Sequence, residues 1–143
     1  MARGAAGDAM EMDQAMIVAG IGCRRGAGAA DIEAAIQTAL AHAGIAAAEL
    51  KAIATGRAKA AEPGIATVAA KLGLGVVAIA DAELKTAGAR AATRSDRVLA
   101  LIGVPSLAEA AALAAAGPSS RLIASRLVVG AATCALASSD AAP

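Results

Sequence analysis

Residues 16–28 limit what this chain can become more than any other stretch. Met16-Ile17-Val18-Ala19-Gly20-Ile21 closes an apolar run, Gly22-Cys23-Arg24-Arg25-Gly26 follows, and a helical pattern starts at once. A short apolar run bounded by turn residues suits a strand buried on both faces, as in a parallel sheet. Strand, glycine-rich turn and helix in succession begin an α/β chain. Two arginines sit where such a turn would face a ligand.

The remaining sequence repeats that alternation. In residues 28–43, Ile32, Ile36 and Leu40 recur every four positions and form one helix face. Asp31 and Glu33 lie in its first turn, where negative charge suits the helix dipole, and Gly44 closes it. Residues 50–55 read as a second strand and 56–61 as a polar turn with Arg57 and Lys59. Pro63 then opens a helix with Ile65, Val68 and Leu72 inward. Residues 75–80 read as a third strand, and Asp81 starts a short helix. Ser95 can cap another short helix, with Val98, Leu99 and Ile102 inward, broken by Gly103-Val104-Pro105. Ser106 caps the next, with Glu109 at the third position of a capping box. Residues 122–124 and 133–137 read as two more strands, close enough to form a hairpin. The expectation is one three-layer α/β domain over residues 15–138. It has about five mostly parallel strands, helices on both faces and an antiparallel edge hairpin at its carboxyl end. Residues 1–14 and 139–143 are expected to be tails.

Composition narrows the function. The 143 residues include no Phe, Tyr or Trp, and about a third are Ala. Small side chains bury little area, at roughly 25 cal/mol per Å², so helices must pack closely on the sheet. Without aromatic residues there is no platform on which bases stack. A net charge of +1 gives no global field for nucleic acid. The longest apolar runs, 127–139 and 34–48 (which contains His42), fall short of the roughly 20 residues a spanning helix needs. No membrane partner and a cytoplasmic location are expected. Two isolated cysteines without a Cys-x-x-Cys pair argue against a disulfide framework or a metal site.

Ligands of open α/β sheets bind at the carboxyl ends of the strands. The turns expected there carry Arg24, Arg25, Arg57, Lys59 and Arg126, and helix N-termini add N–H donors. This is a candidate site for a carboxylate- or phosphate-rich ligand, although solvated surface cations would show the same sequence. Gly20, Gly22 and Gly26 resemble a dinucleotide fingerprint, but the spacing is displaced and no acid ends the second strand. Cys23 sits in a turn that could lower its pKa, making a nucleophile conceivable, although a small turn residue is the simpler role. Lys59 and Glu62 could form a salt bridge or act as acid and base on a substrate.

Three blocks carry a family resemblance: Gly20-Ile21-Gly22-Cys23-Arg24-Arg25-Gly26-Ala27; Lys59-Ala60-Ala61-Glu62-Pro63-Gly64-Ile65 with Leu72-Gly73; and the run from Gly103-Val104-Pro105-Ser106 through Glu109 to Leu113. Over residues 16–137 the chain resembles the CobE/CbiG C-terminal domain family of cobalamin biosynthesis, with the stand-alone CobE form the expected match. The resemblance implies a protein of the aerobic route that binds or handles a precorrin or hydrogenobyrinic-acid-type intermediate, with no other cofactor. Other cobalamin-synthesis enzymes and a second copy are the further partners to consider. An alternative is a lactone hydrolase or ring-contraction enzyme like CbiG, with Lys59 and Glu62 as catalytic candidates; a nucleotide-binding module is a third reading. The ligand-binding candidates are Gly20, Gly22, Cys23, Arg24, Arg25, Gly26, Arg57, Lys59, Glu62, Glu109 and Arg126. The family pattern has acids where Arg57 and Ala61 stand here and Lys where Arg126 stands, so this loop is more cationic and better suited to binding than to hydrolysis.

Overall fold

The computed structural model describes residues 16–89 and 106–139. The helix expected after Ser95 lies outside them, as do the proposed tails apart from Ser139. Five strands form one sheet: β1 (Ile17–Cys23), β2 (Leu50–Gly56), β3 (Gly75–Ile79), β4 (Arg121–Val129) and β5 (Ala132–Ser138), in the order β3-β2-β1-β5-β4. Four described α-helices cover it: α1 (Ala29–Ala43), α2 (Pro63–Leu72), α3 (Asp81–Gly88) and α4 (Leu107–Ala116).

The α/β class, the five strands and the helices on both faces are as expected. The mostly parallel sheet is only partly so. β1–β2 and β2–β3 pair parallel, whereas β1–β5 and β5–β4 pair antiparallel. The C-terminal hairpin is not confined to the edge, because β5 lies beside β1 in the interior and only β4 is an edge. Two reversals leave β4 running in the same direction as β1. Its carboxyl end therefore reaches the sheet edge where β1 and β2 also end.

Alternation along β1 divides the core. Ile17, Ala19 and Ile21 face α1 and α2, meeting Ile32, Ile36, Leu40, Ile65 and Val68. Val18 faces the other side, with Ala54, Ile79 and Ala137, beneath Leu84, Leu113 and the alanines of α4. The spacing of Ile32, Ile36 and Leu40 produces the buried stripe of α1, and Gly44 and Gly73 end α1 and α2 in left-handed backbone. Close packing takes an extreme form at Gly20. A Cβ there would overlap the Ala108 carbonyl oxygen and lie 2.7 Å from the Ala112 nitrogen. Helix α4 rests almost directly on the backbone of β1.

Candidate functional site

The carboxyl edge of the sheet holds an open cleft of about 410 Å³. The end of β1 supplies Gly22, Cys23 and Arg24. The β2–α2 turn supplies Lys59, and the start of α4 supplies Ser106 and Leu107. Strand β4 and the hairpin supply Arg126, Val128, Gly130, Ala131 and Thr133.

Not every candidate from the sequence arrives there. Gly20 is buried under α4, where its role is close packing. Arg25 and Gly26 are exposed in the turn, outside the residues lining the cleft. Arg57 borders a separate depression with Ala58 and Asp81. Arg126 is not in a turn after β4 but within it. The strand continues because Leu127, Val128 and Val129 pair with Cys134, Thr133 and Ala132. The register breaks between Ala124 and Leu127, so Ser125 and Arg126 occupy an irregularity. Such bulges re-aim side chains and are common beside binding sites.

Three carboxylates fix the walls of this cleft, each from the start of a helix. Asp31 Oδ2, in the first turn of α1, accepts the Ala131 N–H of the hairpin at 3.0 Å. Glu62 Oε1, at the N-cap of α2, accepts the Gly26 N–H at 2.9 Å. Glu109 Oε2, in the first turn of α4, accepts the Arg126 N–H at 2.8 Å. The Arg24 N–H also donates to the Ala131 carbonyl at 3.0 Å, joining the β1 turn to the hairpin. Glu109 does more than an ordinary cap. Its own N–H donates to Ser106 Oγ, as expected, while its buried carboxylate crosses to β4. Glu109→Ala should cost about 1–3 kcal/mol, measured by urea unfolding, because the Arg126 N–H loses its acceptor. The same variant should bind ligand more weakly as Arg126 shifts.

The Lys59–Glu62 salt bridge weighed from the sequence does not form; the Glu62 carboxylate turns to Gly26. Among the described residues Arg24, Lys59 and Arg126 make no ion pair, the Lys71–Glu33 pair at 2.9 Å lying elsewhere. Positive charge is therefore left facing the cleft. Val128, at its rim, is 60% exposed, and Leu107 lies among the other lining residues. The cleft presents cations beside an apolar ledge.

At Cys23 burial works against the lowered pKa that made a nucleophile conceivable, and it agrees with the simpler reading of a small turn residue. Burial raises its pKa; Lys59 opposes that shift and Glu62 adds to it. Desolvation of a half-buried strand end outweighs the cationic turn, so the thiol stays protonated at neutral pH. Cys134, inside β5, is pushed by burial up to about 12. Both thiols should alkylate slowly at pH 7, with the Cys23 rate rising only in alkaline solution, above the range of an ordinary thiol. Because the folded-state pKa of Cys134 is raised, its contribution to stability is complete below pH 9 and is lost as pH rises toward 12. Alkylation followed by mass spectrometry, and unfolding at alkaline pH with Cys134→Val as control, check both expectations.

Several lining residues escaped the sequence reading. Val128, Gly130, Ala131 and Thr133 enter through the hairpin. Gly130, following Val128-Val129, is a turn signal, but nothing local shows that β5 crosses to pair with β1. Leu107 looked like an ordinary helix residue.

The family model described as "Cobalamin synthesis G C-terminus" matches residues 17–137. The chain belongs to this family. The resemblance read from its three sequence blocks is confirmed, and the protein is a member of a cobalamin-synthesis family. Protein CobE from Sinorhizobium sp is 37% identical over 121 residues, which are 85% of this chain and 79% of the relative. A crystal structure of CobE, a protein from the cobalamin (vitamin B12) biosynthetic pathway, matches at TM-score 0.81 and 35% identity, covering 87% of this chain and 90% of that one. Cobalamin biosynthesis protein chiG from Agrobacterium tumefaciens str. C58 matches at TM-score 0.67 and 41% identity, covering 85% and 97%. A cobalamin biosynthesis protein G homologue from Sulfolobus solfataricus shares the fold, at TM-score 0.63 and 19% identity, with 86% of this chain matching 36% of that longer one. No helix among the described residues is long and apolar enough to cross a membrane.

Proposed function

We propose that this cleft binds a carboxylate-rimmed corrin intermediate of the aerobic route in the cytoplasm. The carrying observation is the set of three cations, Arg24, Lys59 and Arg126, that make no ion pair among the described residues, beside the exposed Val128. Corrin intermediates combine a rim of acetate and propionate groups with a broad apolar face. Arginine grips carboxylates bidentately, and Lys59 adds a point charge. Leu107 and Val128 supply apolar surface for the ring. A cleft of about 410 Å³ has the size of a pocket for a drug-sized ligand. It would hold one edge of the macrocycle and leave the rest on the open side, accessible to a further enzyme of the pathway.

Binding fits the side chains better than hydrolysis. Burial raises the pKa of the Cys23 thiol, which works against a thiolate, and Glu62 already holds Gly26 with one oxygen. No cofactor beyond the intermediate enters this reading. Titration with a hydrogenobyrinic-acid-type corrin, followed by absorbance and calorimetry, should give saturable binding. Absence of any binding signal from corrin intermediates would overturn the proposal.

A further inference from the structure

We propose that two copies of this chain associate through the outer edge of β3, making one continuous sheet across a twofold axis. The Ile79 carbonyl accepts the Arg57 N–H at 2.9 Å, so Ile79 points its backbone polar groups toward β2. Backbone groups alternate sides residue by residue along a strand, so Gly75 and Val77 also point inward. Val76 and Ala78 therefore point outward, and neither has a hydrogen-bond partner there among the described residues.

The two edges of the sheet are unequal. β4 carries Arg121 and Arg126, breaks register twice and gives its Arg126 N–H to Glu109. These are the devices that protect an edge from pairing. β3 has none of them: Gly-Val-Val-Ala-Ile contains no charge, no proline and no register break against β2. Val77 is 39% exposed, an uncommon exposure for a large apolar side chain among the described residues.

The edge is self-complementary. In antiparallel pairing about Val77, Val76 faces Ala78 of the other copy and Ala78 faces its Val76. Each such pair exchanges two hydrogen bonds, giving four across the axis. The two Val77 residues meet at the axis as a close, non-hydrogen-bonded pair. The amino end of β3 follows Lys71, which pairs with Glu33, and its carboxyl end runs into exposed Asp81, Glu83 and Lys85. Charges of both signs stand at each end, so the pairing rests on the outward backbone groups and the Val77 contact. The cleft lies on different strands, so dimerisation leaves it open.

Sedimentation velocity over a wide concentration series tests this with the full chain. The wild type should reach twice the 13.6 kDa chain mass. Val77→Lys places charge at the axis, and Ala78→Pro removes an outward N–H without touching the β2 ladder. Each should halve the mass while the far-ultraviolet circular dichroism of the wild type is retained. A wild type that is monomeric at every concentration would overturn the proposal. So would a dimer that survives Val77→Lys with its circular dichroism unchanged, even should Ala78→Pro fail to fold.

Discussion

Gly20→Ala should lower the unfolding free energy by about 3 kcal/mol, the upper part of the range for overpacking a core. The added methyl would overlap the Ala108 carbonyl oxygen and stand 2.9 Å from the Ala112 Cβ. The obstructing atoms include helix backbone, which has no rotamer to change. Helix α4 must lift, and the layer it forms over Val18, Ala54 and Ala137 must open. Gly28→Ala is the matched control, because its backbone is extended at φ −72° and nothing lies within 4 Å of a Cβ there. Urea unfolding of the two variants decides the matter. A Gly20→Ala variant as stable as Gly28→Ala would show that α4 does not sit where it is described. The site should suffer too, since the start of α4 brings Ser106, Leu107 and Glu109 to the cleft.

Arg24→Ala and Arg126→Ala should each weaken binding of a carboxylate-bearing corrin by about tenfold to a hundredfold. A charge-assisted hydrogen bond contributes roughly 1.5–3 kcal/mol when shielded, and 1.4 kcal/mol is a factor of ten. Arg24 is the more exposed of the two, so its loss should fall at the lower end. Arg25→Ala and Arg57→Ala are the informative comparisons. Both remove one positive charge from the same edge, yet neither residue lines the cleft. Their effect should stay near the small, salt-screened influence of a distant exposed charge. Equal losses from all four variants, each abolished by salt, would mean a diffuse field rather than a built site. Calorimetric titration at two ionic strengths separates these outcomes.

The legible parts of the sequence were those governed by local chemistry. The four-residue spacing of Ile32, Ile36 and Leu40, the caps at Gly44 and Gly73, and Ser106 before α4 all acted as their positions imply. Arg24 and Lys59 could be placed near one another because turns after parallel strands share an edge. What the sequence hid was long-range. The pairing of β5 with β1 spans more than a hundred residues, and it alone makes the hairpin a wall of the cleft. The bulge at Arg126 depends on Glu109 reaching from another element, which no spacing rule encodes. Cys23 illustrates the same limit. Its neighbours in sequence are cationic, but the burial that sets its protonation comes from the folded strand end.

The central claim is that charge complementarity to a carboxylate rim, beside an apolar ledge, is what this cleft provides. Calorimetry of the wild type against two corrins of the same ring, one with free peripheral carboxylates and one with those groups amidated, tests it most directly. The account predicts that the free acid binds at least about tenfold more tightly, the equivalent of one lost charge-assisted contact. It also predicts that this preference disappears in the Arg24→Ala, Arg126→Ala double variant. Equal affinity for the two corrins, or a preference that survives in the double variant, would contradict it.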